Sequence, residues 1–109
     1  MRWRRGRHRC PRWVEMTPET TLFRPAGIPP GAAEVVVMTF AELEALRLAD
    51  LEGMTQEEAA RQMGISRRTF WDDLMRARKK VVYALVNGCT IQIVGGDYAV
   101  PPSAKIRRR

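Results

Sequence analysis

Residues 55–81 read TQEEAARQMGISRRTFWDDLMRARKKV. The first half is acidic and rich in alanine, one glycine interrupts it, and the second half is basic. Thr55 and Glu58 have the spacing of a capping box, in which hydroxyl and carboxylate each satisfy an orphan backbone N–H. That spacing predicts a short helix running through Met63. Gly64 supplies a residue free to take positive φ and so closes it. Ser66 is placed to cap the next helix, which meets no breaker before Gly88 and is expected to run about 20 residues. Ile65 plugs the corner between the two. Ala59 and Ala60 are small enough to let the helices cross closely, and Phe70, six residues after Gly64, falls where the second helix turns inward. Together these are the requirements of a helix-turn-helix.

Outward from this stretch, Thr39 and Glu42 form a second capping box, and Phe40, Leu43, Ala45, Leu46 and Leu51 recur at helical spacing. A helix is therefore expected from Thr39 to the stop at Gly53. On the long helix Phe70, Leu74, Ala77, Val81 and Leu85 share a stripe. EVVVM (34–38) and TIQIV (90–94) read as short strands, and pairing them would cover the open side of a three-helix bundle. Residues 14–33 hold four prolines and two glycines and cannot sustain a long helix. They are read as extended chain, with Leu22, Phe23 and Ile28 tucked against the core. The expected fold is mainly α: a three-helix, helix-turn-helix core with strands at about 35–38 and 90–94 and disordered basic tails. The division is a basic arm over 1–13, a helix-turn-helix domain over 14–98 with its motif at 55–82, and a basic tail over 99–109.

The chain has 109 residues, 19 Lys and Arg against 12 Asp and Glu, and a formal net charge of +7. Ten of the 19 basic residues lie in residues 2–12 and 105–109, leaving nine against twelve acids, a net of −3 for the rest. Residues 34–62 hold seven acids and two arginines, while 66–82 hold six basic residues and two aspartates. A body with one negative region, one positive helix and positive arms suits a polyanion held in fixed orientation. Arginine-rich ends that only aid solubility are the plainer alternative. No run of about 18 apolar residues exists to cross a membrane, and the charged N-terminus has no apolar stretch behind it, so a cytoplasmic protein is expected. Cys10 and Cys89 stand far apart and His8 stands alone, so neither metal nor cofactor is expected. With no clustered acid–base pair and no phosphate-binding glycine loop, the chain is not read as an enzyme.

If the two helices bind DNA, the second enters the major groove with its N-terminal side chains at base edges. Ser66, Arg67, Arg68, Thr69, Trp71 and Asp72 are the candidates for base reading. An arginine can grip guanine O6 and N7 bidentately. Asp72 either accepts from a cytosine amino group or orients Arg68 or Arg76. Trp71 either meets a thymine methyl or packs on the preceding helix. Thr55, Gln56, Arg76, Arg78 and Lys79 are candidates for backbone phosphate contacts, as are Arg2, Arg4, Arg5 and Arg7, whose arm resembles in composition those that lie along a minor groove.

The stretches TLFRPAGIP, ELEALRLADLEGMTQEEAARQMGISRRTFWDDLMRARKKVVYALVNG and IQIVGGDY resemble an uncharacterised prokaryotic family known as domain of unknown function 134, whose members are predicted to bind DNA. The helical section is also similar to the last, promoter-reading domain of bacterial sigma factors. The resemblance implies a small transcriptional regulator or architectural DNA binder in a bacterial or archaeal cytoplasm, with the helix starting at Ser66 as its recognition helix and double-stranded DNA as its partner. Asp73 departs from the pattern, standing where such motifs place an apolar residue, so either the helix is rotated or Leu74 takes the inward role. Arg68 stands where relatives often have proline. A protein-interaction module binding polymerase or another regulator, with nonspecific nucleic-acid-binding tails, is the rival reading. A homodimer contact is expected on the second half of the long helix with the 90–94 strand; no small-molecule substrate and no membrane partner is expected.

Overall fold

The computed structural model describes residues 12–101 and 105–107. Arg12–Trp13 (β1) and Met16–Pro18 (β2) lead through Leu22–Phe23 (β3) to Val35–Met38 (β4). Three helices follow: Phe40–Leu46 (α1), continued by a π-helical turn at Arg47–Leu51, then Gln56–Met63 (α2) and Arg67–Asn87 (α3). Thr90–Ile93 (β5), Tyr98–Ala99 (β6) and Lys105–Arg107 (β7) complete the order. No helix among the described residues is long and apolar enough to cross a membrane.

The local rules place the helix starts. Thr39 accepts from the Glu42 N–H at 3.0 Å while Glu42 accepts from the Thr39 N–H at 2.9 Å. Thr55 and Glu58 repeat the exchange at 3.1 and 2.9 Å. α1 ends in an unexpected way. Glu52 N–H reaches the carbonyl of Arg47 at 2.8 Å, five residues back, so its last turn widens before the chain reverses at Gly53. Gly64 takes φ +71°; its N–H reaches Arg61 O and the Ile65 N–H reaches Ala60 O at 3.0 Å, the double closure of a Schellman motif.

Ala41, Ala45, Leu48, Ala59, Ala60, Met63, Phe70 and Leu74 form one buried cluster, with Ile65 packed partly against it. Ala59, Met63 and Phe70 are fully enclosed, because the two alanines let α2 sit close to α3. The stripe along α3 runs as expected through Ala77, then departs. Ala84 is buried and Leu85 is 75% exposed, since the helix outruns the bundle and its last turns meet the sheet on another face.

β4 and β5 pair in parallel, with Val35 opposite Thr90 and Met38 opposite Ile93. Parallel neighbours need a crossover, and here the three helices are the crossover, with buried Met38 and Ile93 closing the bundle. β3 joins the far side of β5 antiparallel, so the sheet order is β3–β5–β4. Leu22, Phe23 and Ile28 are not tucked into the core. They are 50%, 53% and 44% exposed, because Leu22 and Phe23 form an edge strand reaching beyond the helices.

The chain ends also differ from expectation where they are described. Arg12 and Trp13, assigned to the arm, pair with Tyr98 and Ala99, and buried Val14 donates its N–H to Ala99 O at 2.9 Å. Lys105–Arg107, assigned to the tail, runs parallel to Met16–Pro18. Strand pairing between the two ends, 80 to 90 positions apart in sequence, is invisible to local pattern. The rest of the 1–13 arm, with Arg2, Arg4, Arg5, Arg7 and Cys10, lies outside the described residues, as do residues 102–104 and 108–109.

Candidate nucleic-acid interface

Ser66 caps α3 as its position implied. Its hydroxyl accepts from the Thr69 N–H at 3.0 Å and donates to Thr69 Oγ1 at 2.9 Å, so both side chains serve the cap before they serve any ligand. The next turn projects outward. Arg67 and Arg68 are exposed, and Arg68 stands 3.5 Å from Asp72 one turn on. Of the two arginines offered to Asp72, then, it faces Arg68. Trp71, 39% exposed, lines a shallow depression of about 380 Å³ with Gln56, Arg67 and Arg68. The start of α2 and the start of α3 therefore share one concave surface with two guanidinium groups on its wall.

Thr55, at that same end, is less available than its position suggested. Its hydroxyl and its N–H are both engaged by Glu58, so the open donors of the α2 start are those of the following residues. The Glu58 carboxyl is held below its ordinary range, chiefly by the Thr55 backbone N–H.

Further along α3 the basic residues divide. Arg76 donates to Glu42 at 2.9 Å and to Asp73 at 2.7 Å. Arg78 grips both oxygens of Asp50, at 3.1 and 2.7 Å, and Lys80 reaches Glu42 at 2.7 Å. Arg76 and Arg78, candidates for phosphate, are thus paired with acids of the chain's own body; Lys79 is exposed. The surplus acid of residues 34–62 is partly consumed in this way, by the basic face of α3.

Among the described residues three acids are buried: Glu42 and Glu44 of that stretch, and Asp73 of α3 itself. Glu44 accepts from Arg47 Nε at 2.9 Å and Nη2 at 3.0 Å, and from the Glu15 N–H at 2.9 Å. Asp73 accepts from Arg12 through both oxygens at 3.1 and 3.3 Å. Both Asp73 and Leu74 point inward, so the helix is not rotated; a polar partner simply meets the aspartate. Burial pushes the Glu42 carboxyl up, but Lys80, the Thr39 N–H and Arg76 together bring it below its ordinary value.

The family described as "Protein of unknown function DUF134" matches residues 1–101. The chain belongs to that family. It is 55% identical over 102 residues to a UPF0251 protein of Methanosarcina acetivorans, covering 94% of this chain and 91% of that one. It is 51% identical over 100 residues to UPF0251 protein MmarC7_1642 of Methanococcus maripaludis, covering 92% and 77%. A bacterial relative, UPF0251 protein TTE1845 of Caldanaerobacter subterraneus subsp. tengcongensis, is 51% identical over 89 residues, covering 82% and 75%. No solved structure matches the chain.

In this DUF134 chain the residues that sequence reasoning missed are those tying the N-terminal strand to the helix pair: Arg12, Trp13 and Glu15. Glu15 Oε1 accepts from Gln62 at 2.9 Å and from Arg47 at 3.3 Å. A faint signal existed. Glu44 stands three residues after Ala41 and four before Leu48, and Asp73 three after Phe70 and four before Ala77, so both acids lie on apolar stripes and require buried cationic partners.

Proposed function

We propose that α2, the Gly64 turn and α3 act as a helix-turn-helix that binds double-stranded DNA in a sequence-dependent way, as a small transcriptional regulator. The observation that carries this reading is the depression shared by Gln56, Arg67, Arg68 and Trp71, which sets two exposed guanidinium groups on the first turn of a long, capped helix. Arg67 and Arg68 are its base readers, and Asp72 orients Arg68 rather than acting alone. A bidentate arginine–guanine contact contributes about 1–3 kcal/mol of discrimination. Lys79 and the α2 start serve the phosphate backbone, and the arginines of residues 2–9 add affinity that falls steeply with salt.

The test is selection of bound duplexes from a random pool, followed by titration of the selected and a scrambled duplex at about 0.15 M salt. The reading requires tighter binding of the selected duplex by at least tenfold, and loss of that preference in an Arg67→Glu, Arg68→Glu variant. Glutamates in a first helical turn are favoured by the helix dipole, so the helical signal in circular dichroism is expected to survive. Equal affinities for the two duplexes would overturn specific recognition and favour a module that binds protein, with basic ends acting nonspecifically.

A further inference from the structure

β4 is an edge of the three-stranded sheet. The Thr90 N–H donates to Glu34 O at 2.8 Å and the Val94 N–H to Met38 O at 2.9 Å, so the backbone groups of Glu34, Val36 and Met38 face β5. Direction alternates along a strand, and the N–H and C=O groups of Val35 and Val37 therefore point away from it. Among the described residues no strand lies on that side. Val35 is 51% and Val37 46% exposed. Edges of this kind are usually guarded by lysine, proline, a bulge or a covering element; from 35 to 38 this one reads VVVM.

We propose that β4 is a self-association edge: two copies of the chain pair antiparallel through it about a two-fold axis at Val36, joining two three-stranded sheets into one. In that register Val35 of each copy lies opposite Val37 of the other, and the outward groups of each such pair exchange both hydrogen bonds. The segment matches itself. Every central pairing sets valine on valine, a favourable cross-strand contact, and Glu34 falls opposite Met38 of the second copy, so no like charges meet. The chain ends carry +10 of charge and the remainder −3, so repulsion between the two bodies is small. Tyr83 donates to Glu34 at 3.0 Å and so holds the last turns of α3 at the start of β4. Val82 and Val86 beside it are 58% and 76% exposed and supply apolar surface at the same rim. The contact differs from the one expected on the 90–94 strand: β5 has β3 on one side and β4 on the other and offers no free edge. The proposal stands apart from DNA binding, since it uses none of the α2–α3 depression.

Sedimentation equilibrium of the full chain from about 1 to 100 μM at about 0.15 M salt, where charges are screened beyond about 8 Å, is expected to show a rise from 12.5 kDa toward twice that mass. Val37→Lys and Val37→Pro are each expected to hold the chain at the single mass with unchanged circular dichroism, because the Val37 N–H makes no bond within the sheet. Hydrogen exchange on the unaltered chain gives a readout independent of any variant: the Val35 and Val37 amides slow as concentration rises. A single mass throughout would overturn the proposal. So would a dimer that survives both substitutions, or one dissociated by Leu85→Glu but not by Val37→Lys, or Val35 and Val37 amides whose exchange ignores concentration.

Discussion

The indole of Trp13 occupies the space beside the turn glycine: a Cβ built on Gly64 would lie 2.8 Å from Trp13 Cδ1. The turn between α2 and α3 is thus clamped from outside by the N-terminal strand, as well as closed by its own hydrogen bonds. Gly64→Ala meets two penalties, positive φ and this collision, and is expected to destabilise the fold by about 2–4 kcal/mol. Gly64→Ala combined with Trp13→Ala removes the collision and leaves the backbone strain. In urea denaturation the double variant should therefore lose less than the two single losses added together; strict additivity would show that the indole does not press on the turn.

Arg12 and Asp73 make the second clamp. Without Arg12 the enclosed Asp73 still holds Arg76 at 2.7 Å, whereas without Asp73 the Arg12 side chain, 18% exposed, loses both of its bonds to that carboxylate, so removing the acid costs more than removing the base. Asp73→Ala is expected to lose about 2–3 kcal/mol, less than a fully buried pair would, because Arg76, 53% exposed, returns to water. Arg12→Ala should lose about 1 kcal/mol, and a double-mutant cycle should give a coupling of about 1 kcal/mol. No coupling would mean that the strand is held by Trp13 and backbone bonds alone.

These clamps mark where the sequence stops being legible. The helix starts at Thr39, Thr55 and Ser66, the Gly64 reversal and the existence of strands at 35–38 and 90–94 follow from residues within a few positions of each other, and local chemistry announces them. The outward turn at Arg67 and Arg68 was legible for the same reason. Arg76 and Arg78 were not, because their partners Glu42 and Asp50 lie 34 and 28 positions away and a charge read without its partner looks like a solvated face. Leu22, Phe23 and Ile28 misled in the opposite sense: apolar character is compatible with burial but does not require it.

Glu42 links pH to stability. Its folded carboxyl lies below the ordinary value of 4.5: burial raises it, and Lys80, Thr39 and Arg76 outweigh that. A depressed folded value favours the folded state above the unfolded value and loses that contribution as pH falls through the folded one. Stability should therefore decline below about pH 4.5, and Glu42→Gln should be less stable at pH 7 but show a shallower decline from pH 5 to 3 in urea titrations. Parallel acid limbs would assign the loss to other carboxyls.

Cys89 is 8% exposed, its Sγ is 3.8 Å from Glu34 Oε1, and burial followed by that carboxylate pushes its thiol above the ordinary value. The thiolate is the reactive form, so alkylation of Cys89 by iodoacetamide at pH 8 should be at least tenfold slower in the folded chain than in urea. Glu34→Gln should speed it without unfolding. Mass spectrometry of the Cys89 peptide checks this, and an equal rate in both states would show that the group is open to solvent.

Asp50 bears on the proposed DNA binding. Arg78 holds both of its carboxylate oxygens, and both side chains are roughly half exposed. Such a surface pair contributes little to stability, about 0–1 kcal/mol, yet it occupies a cation that lies about three turns beyond the proposed base readers. Asp50→Asn keeps the shape, removes the negative charge and releases Arg78. If α3 lies along a duplex, the variant should bind DNA roughly two- to fivefold more tightly, with a slope of log affinity against log salt steeper by about one phosphate contact. Arg78→Ala should weaken binding only modestly, by a similar two- to fivefold, because it leaves the Asp50 carboxylate uncompensated but removes no phosphate contact. A strong loss in Arg78→Ala would instead mean that the pair opens on binding and that Arg78 exchanges Asp50 for a phosphate. Fluorescence anisotropy at several salt concentrations separates the two outcomes, and no response in either variant would place this face of α3 away from the nucleic acid.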